Sequence, residues 1–144
     1  MNKESNKQGF TLIELLLVLV ILAVLGAVVV PKFTKRSQQA KETAAKTDIA
    51  NLEVALDAFE IDTGRYPTNS EGIGALIQSP ANVEEDWKGP YLKRGIPKDP
   101  WGGEYRYNYP SQHKPFKFDL KSLGPDGVES EDDLANYNKN KQDG

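Results

Sequence analysis

The sequence predicts an α+β protein in which one long N-terminal helix packs on a small antiparallel β-sheet, with an acidic C-terminal loop that is a candidate for metal binding. An apolar run near the N-terminus passes into a one-sided amphipathic stretch, which is typical of one continuous helix. Aromatic, alternating segments between turn-forming residues then indicate short strands. Together these patterns favour a layer of helix on sheet.

Composition limits both the size and the class of the protein. With 144 residues, the chain has room for one modest domain. The net charge is −3 and no basic stripe is visible, which argues against a nucleic-acid partner. Because cysteine is absent, disulfides and thiolate metal sites are excluded, and a bound metal is one remaining means of stabilising the domain.

The apolar run, residues 10–30, contains one charged side chain, Glu14. A helix of this length spans roughly 30 Å, which is enough to cross a bilayer. Lys3 and Lys7 precede it and a far larger polar part follows, so the positive-inside bias predicts the leader inside and the domain outside. A carboxylate in such a segment costs about 2.5–3.5 kcal/mol, so Glu14 requires a partner.

Two ordinary interpretations leave Glu14 unexplained. A secretory signal peptide requires small residues for cleavage at the end of the apolar run, and Gly26-Ala27 is the only small pair there. A plain signal anchor fits the length and the flanking charges, yet it gives no role to a carboxylate.

The segment KQGFTLIELLLVLVILAVLGAVVVP resembles the prepilin signature of type IV pilins and pseudopilins. The resemblance implies cleavage between Gly9 and Phe10 by prepilin peptidase and methylation of the new Phe10 amine. It also implies that Glu14 meets that amine in a neighbouring subunit, so that two charges costly in lipid neutralise each other in one axial register. The chain then has three parts: a leader (1–9), a transmembrane and assembly helix (10–31) and a periplasmic globular domain (32–144).

Beyond the apolar run, apolar residues fall on one face. They recur at three- and four-residue steps, at Ile49, Leu52, Leu56 and Phe59. This spacing predicts an amphipathic helix that lies on the domain. Gly64 suits a left-handed cap, so the helix is predicted to run from about residue 11 to about residue 63.

A short helix and three strand-like segments are predicted after the long helix. The short helix lies in PTNSEGIGALIQSP, with Asn69 or Ser70 as its cap and Pro80 at its end. The strand-like segments are residues 91–92, 104–109 and 116–120.

Four later segments, YPTNSEGIGAL, WKGPYLK, DPWGGEYRY and LKSLGPDGVESEDD, resemble landmarks of the major pseudopilins of type II secretion systems. The resemblance implies a homo-oligomeric helical filament, the periplasmic pseudopilus, which drives export of folded proteins across the outer membrane. Its implied partners are prepilin peptidase, minor pseudopilins, the inner-membrane assembly platform and, before assembly, membrane lipid. A surface type IV pilin for adhesion or motility is the alternative, although such pilins usually carry a C-terminal disulfide loop.

The acidic stretch LGPDGVESEDDL offers oxygen ligands of the kind that calcium prefers, at a spacing that is not that of an EF-hand. By itself, such a stretch is most often a solvated loop. The resemblance implies a structural calcium ion held by the side chains of Asp126, Asp132 and Asp133 and the backbone carbonyls of Leu123 and Val128. The loop is one residue shorter than the family pattern and lacks its second glycine, so Glu131 or a water is an alternative ligand.

No constellation for catalysis is visible in the sequence. The single histidine, His113, lies in a predicted turn, and neither a P-loop nor a GxGxxG motif occurs. The sequence therefore indicates a structural protein and not an enzyme. A membrane-anchored periplasmic binding module that never polymerises is a further alternative, with the acidic loop as its ligand site.

Overall fold

The computed structural model describes residues 9–138, and the side chains of all of these except residues 28–34. Its first element is the helix α1, Leu12–Thr63, which has 52 residues and confirms the predicted long helix. Gly64 ends α1 at a φ of +76°, and its amide donates to a carbonyl of the last turn over 2.8 Å. The chain divides into two compact units, with the boundary between Gln39 and Ala40.

The first unit exposes its apolar side chains. Between Phe10 and Leu25, the large apolar residues are 49–83% exposed. Among the described residues, no helix combines the length and the hydropathy that a membrane crossing requires. The predicted leader lies outside the described residues apart from Gly9, and the predicted span 10–30 includes residues 28–30, whose side chains also lie outside them. Leader and span both stay predictions.

The second unit is built around the C-terminal half of α1. The four apolar positions predicted for the helix face are at most 2% exposed. They share one core with buried residues from the rest of the unit, among them Tyr66, Leu76, Tyr105, Phe118 and Leu120. Full burial of a leucine or phenylalanine contributes about 1.5–3 kcal/mol relative to exposure. The predicted amphipathic face is thus confirmed.

Three short strands follow the helix: β1 (Arg106–Asn108), β2 (Asp119–Ser122) and β3 (Leu134–Ala135). They form an antiparallel sheet in the order β1-β2-β3. Tyr107 lies opposite Leu120 across β1 and β2, and Ser122 lies opposite Leu134 across β2 and β3. Helix and sheet contribute to the same core, so the predicted α+β class is confirmed.

The predicted strand positions are partly wrong. Residues 91–92 form no strand, because the Tyr91 amide bonds the Leu76 carbonyl over 2.8 Å and the Tyr91 ring packs edge-on in the core. The strand predicted at 116–120 begins only at Asp119, since the residues before it form a turn. The strand β3 is missing from the prediction because two residues are too few to display alternation.

The predicted short helix forms as a 3-10 helix, Gly72–Leu76, with a different cap. The Thr68 amide donates to Glu71 Oε2 over 2.8 Å, and the Glu71 amide donates to Thr68 Oγ1 over 3.3 Å. This reciprocal pair is a capping box around the turn that precedes the helix. The N-cap of the helix itself is Glu71, and not the predicted Asn69 or Ser70. Two further 3-10 helices are Ala81–Val83 and Asn136–Asn138.

Candidate functional site

The predicted processing residues lie just before α1. Phe10 is 83% exposed, and a Cβ added to Gly9 would meet no atom within 4 Å. Nothing within the described chain therefore requires glycine at position 9. Any requirement for it lies outside the described residues.

Glu14 is held by the start of its own helix. Its Oε2 accepts hydrogen bonds from the Thr11 amide (3.2 Å) and the Thr11 hydroxyl (3.4 Å), while the Glu14 amide donates to Thr11 Oγ1 (3.3 Å). In this capping box, the carboxylate also lies near the positive end of the helix dipole. The pattern T-x-x-E signals the box in the sequence, and the structure adds Thr11 to the predicted site residues.

Asp99 fixes the start of the loop that joins β2 to β3. It is 5% exposed, and its Oδ1 accepts hydrogen bonds from the amides of Trp101 (3.1 Å) and Gly103 (2.6 Å). Its Oδ2 accepts a hydrogen bond from Ser122 Oγ over 2.5 Å. The same Ser122 oxygen accepts one from the Gly124 amide over 3.2 Å. One buried carboxylate therefore joins the DPWGG turn to the loop.

Asn136 fixes the other side of β2. This side chain is 1% exposed, its Oδ1 accepts a hydrogen bond from the Leu120 amide (3.0 Å), and its Nδ2 donates to the Phe118 carbonyl (3.0 Å). These two bonds satisfy both ends of a buried amide. They also extend the pairing of β3 with β2 beyond the two residues of β3.

Asp126 and Asp132 meet inside the loop between β2 and β3. Asp126 Oδ2 accepts a hydrogen bond from the Ser130 hydroxyl over 3.2 Å, and the same hydroxyl contacts Asp132 Oδ1. Gly124 has a φ of +67°, and a Cβ added there would lie 3.2 Å from both the carbonyl oxygen and Oδ2 of Asp132. Glycine therefore leaves the space in which Asp132 folds back toward the start of the loop.

The third predicted carboxylate, Asp133, turns toward a cation. It is 8% exposed, its Oδ1 accepts a hydrogen bond from the Ser130 amide (3.3 Å), and its Oδ2 lies 3.4 Å from Lys121 Nζ. The same ammonium contacts Glu129. Burial acts to lower the pKa of Lys121, but hydrogen bonds to Glu129 and Asp133 outweigh it and the pKa is raised. The hydrogen bond from Lys121, with its charge, lowers the pKa of Glu129.

The loop brings together only part of the predicted calcium ligand set. Two carboxylates that converge on one hydroxyl suit a hard cation, whereas a third that faces an ammonium does not. Among the described residues, no group of three or more acidic or histidine side chains is arranged to hold a metal ion. The predicted ligands, Leu123, Asp126, Val128, Asp132 and Asp133, therefore stay a prediction.

His113, Ser111 and Asp119 lie together, but not in the geometry of a hydrolase. Asp119 Oδ2 accepts a hydrogen bond from the Gln112 amide (3.0 Å) and lies 3.2 Å from His113 Nδ1, while Ser111 donates to Asp119 Oδ1. An activated serine donates to the histidine, and here the hydroxyl faces the carboxylate instead. The His113 ring stacks on Tyr137, with centroids 3.7 Å apart. The cluster thus closes a turn and holds the 3-10 helix Asn136–Asn138 against that turn.

Two family profiles match the chain. The family described as type II secretion system protein G matches residues 32–140, and the prokaryotic N-terminal methylation motif matches residues 5–30. The chain is also similar to proteins named type II secretion system core protein G. It is 45% identical over 134 residues to that of Pseudomonas aeruginosa, covering 91% of this chain and 92% of the relative. It is 41% identical over 139 residues to that of Dickeya chrysanthemi, covering 94% and 89%.

A solved structure is similar over most of the chain. It is the crystal structure of the major pseudopilin from the type 2 secretion system of enterohaemorrhagic Escherichia coli, with 37% identity and a TM-score of 0.63. The match covers 76% of this chain and 96% of that one. These matches confirm the resemblance to major pseudopilins, and the chain belongs to the type II secretion system protein G family.

Proposed function

We propose that the chain is the structural subunit of a type II pseudopilus, in which many copies polymerise through their N-terminal helices into a periplasmic filament. Growth of this filament drives folded proteins across the outer membrane. The observation that carries the proposal is the exposed apolar surface of the first unit, whose large side chains from Phe10 to Leu25 are at least 49% exposed. An apolar surface of this size requires a cover, and identical helices supply one. The role is structural, with no catalytic step.

Before assembly, the subunit lies in the inner membrane through residues 10–30, with residues 32–144 in the periplasm. The methylation motif at residues 5–30 supports this arrangement, as do the two lysines ahead of the apolar run. Prepilin peptidase cleaves between Gly9 and Phe10. The minor pseudopilins and the inner-membrane platform are the other partners.

Assembly then requires Glu14 to exchange partners. In the single chain its carboxylate accepts two hydrogen bonds from uncharged donors of Thr11. After cleavage, the Phe10 amine of a neighbouring subunit offers a full positive charge, so that contact adds the attraction between two opposite charges to a hydrogen bond. The capping box therefore holds the carboxylate until the stronger partner arrives in the correct axial register.

Substitution of Glu14 tests the proposal. Glu14→Ala is expected to enter the membrane normally and to abolish filaments, because the neighbour's amine loses its partner; Glu14→Gln should do the same. The readouts are the amount of protein in the membrane fraction and the yield of sheared filaments from overproducing cells. Glu85→Ala, which removes an exposed carboxylate from the second unit, is the matched control. A wild-type filament yield from Glu14→Ala would contradict the register argument.

We further propose that a calcium ion binds the loop between β2 and β3. The ion would supply positive charge to the converging carboxylates and tie the loop to the sheet. Its ligands would be the side chains of Asp126, Asp132 and Asp133 and the carbonyls of Leu123 and Val128. The shared Ser130 hydroxyl between Asp126 and Asp132 supports this proposal. Asp133 has to share its carboxylate with Lys121 or leave it.

A further inference from the structure

Lys121 places a positive charge inside the acidic loop from a fixed position on the sheet. It lies in β2, where Arg106 of β1 and Ala135 of β3 are its register partners. Its side chain is only 15% exposed, and a positive charge on a largely buried side chain needs an anionic partner. Asp133, at 7% side-chain exposure, and the exposed Glu129 are the partners that it has.

Four acidic side chains of the loop therefore form two groups. Asp126 and Asp132 meet at the Ser130 hydroxyl, whereas Asp133 and Glu129 meet at the Lys121 ammonium. Both oxygens of Asp133 are engaged, one by the Ser130 amide at 3.3 Å and the other by Lys121 at 3.4 Å. Ser130 belongs to both groups and couples them. A cation that recruits Asp133 must compete with the ammonium for it.

We propose that Lys121 is an internal cation that holds the loop to β2 without a metal and weakens the binding of calcium to the same loop. The inference rests on the proposed calcium site. Two effects act in the same direction: the ammonium occupies an oxygen of Asp133, and its positive charge repels a divalent ion nearby. The loop is then partly ordered before any ion binds, and calcium adds less to stability than it would in a chain with a neutral residue at this position.

The test compares Lys121→Met with the wild type as full chains in detergent micelles. Two quantities are measured: the melting temperature in chelator, and the calcium affinity by calorimetry with calcium chloride alone. Loss of the tether is expected to lower the melting temperature of Lys121→Met in chelator. Loss of the competing charge is expected to tighten its calcium binding by about tenfold, within the usual range of coupling between two sites. Calcium should therefore raise its melting temperature by more than it raises that of the wild type.

Two variants separate this effect from a general change of charge. Lys88→Met removes a lysine that is 74% exposed and lies 3.7 Å from Asp62, away from the loop, and it should change neither quantity. Lys121→Arg keeps the charge and should restore wild-type affinity. If Lys121→Met fails to fold, Lys121→Gln takes its place, since its amide can still donate to Asp133 without a charge, and the expected direction is the same.

The outcomes distinguish the two proposals. Calcium binding by the wild type that is unchanged in Lys121→Met would overturn the role of Lys121 and leave the calcium site standing. A flat calcium titration for both chains would overturn the calcium site and, with it, the competition.

Discussion

At the scale of single residues, Asn136 supports the sheet more than the length of β3 suggests. The strand β3 has only two residues, and the side-chain amide of Asn136 bonds both an amide and a carbonyl beside it in the neighbouring segment. The amide group is buried, and its oxygen and its nitrogen each have a hydrogen-bond partner, so its burial leaves neither atom unsatisfied. The Asn136 side chain therefore adds two hydrogen bonds to those that pair β2 with β3.

Removal of this side chain should destabilise the domain strongly. Asn136→Ala leaves the Leu120 amide and the Phe118 carbonyl buried without their partner, so the free energy of unfolding should fall by about 2–3 kcal/mol. Urea unfolding followed by circular dichroism measures the change. Asn138→Ala, an exposed position in the same 3-10 helix, should stay within about 0.5 kcal/mol of the wild type. Equal losses in the two variants would contradict the role of Asn136.

Glu71 is the residue whose environment predicts a pH dependence. Arg65 donates to both of its carboxylate oxygens, over 2.7 and 2.8 Å. Hydrogen bonding to Arg65 is the main cause that lowers the pKa of Glu71 from 4.5 to about 2. A carboxylate with a depressed pKa in the folded state stabilises the fold at pH values above its unfolded pKa.

The contribution of Glu71 should therefore be complete above pH 4.5 and lost as the pH falls toward about 2. The measurement is the free energy of unfolding from pH 7 to pH 2 for the wild type and for Glu71→Gln. The difference in the free energy of unfolding between the wild type and Glu71→Gln should shrink steadily below pH 4.5. There, Glu71 binds a proton more readily in the unfolded chain than in the folded one. Glu84→Gln, at an exposed position, provides the matched charge change. A constant difference between the wild type and Glu71→Gln across this range would refute the assignment.

At the scale of elements, three tyrosines join the rest of the second unit to α1. Their hydroxyls donate to aspartates on the helix, with distances of 2.8, 2.9 and 3.0 Å. The pairs are Tyr66 with Asp57, Tyr91 with Asp62, and Tyr105 with Asp48. Burial is the main cause that raises the pKa of all three phenols, and the hydrogen bond to each aspartate raises it further, although the Lys88 amide acts to lower the pKa of Tyr91. The phenols therefore remain protonated donors at any physiological pH.

A double-mutant cycle tests the contact between Tyr105 and Asp48. Tyr105→Phe and Asp48→Ala should each destabilise the domain, and the double variant should lose about 1 kcal/mol less than the sum of the two, since the hydrogen bond is lost only once. The cycle also removes the helix-propensity gain that alanine brings at position 48. Additive losses, measured by thermal unfolding, would mean that the contact contributes nothing.

The sequence predicts the buried face of α1 better than it predicts the side chains that donate hydrogen bonds to the helix. A period of 3.6 residues repeated over many turns predicted the face of α1, because that face is decided by burial alone. The partner aspartates on α1 look like ordinary solvated residues, since their tyrosines lie outside the helix, between 9 and 57 positions away. The two capping boxes are different, because T-x-x-E is a local pattern that is visible in the sequence at Thr11 and at Thr68.

At the scale of the whole molecule, calcium should act as a ligand of the folded state. An ion that binds only this state raises stability by about 2.7 kcal/mol at a hundredfold excess over its dissociation constant. The melting temperature of the full chain in detergent should therefore rise with calcium and return with chelator. Asp126→Ala should lose the rise, whereas Asp86→Ala, an exposed aspartate outside the loop, should keep it. An equal rise in the two variants would place the ion elsewhere.

Family membership and overall architecture were predictable because they rest on long segments of the chain. The prepilin signature and the later landmarks predicted the family, and the profile and relatives confirm it. The acidic loop was predictable only in composition. Whether Asp133 turns toward Asp132 or toward Lys121 depends on a strand neighbour twelve positions earlier, and one sequence gives no signal for such a contact.

The three tyrosine–aspartate bonds also bear on how α1 is gripped within the second unit. Asp48 and Asp62 are 14 positions apart, so the bonds are spread over about 21 Å along the helix axis. Asp57 is 9 positions from Asp48, which places it about 180° around the helix, so the tyrosines hold α1 from two sides. Sliding of α1 along its axis would have to break all three bonds together, and we therefore expect them to resist a pull on the helix in that direction.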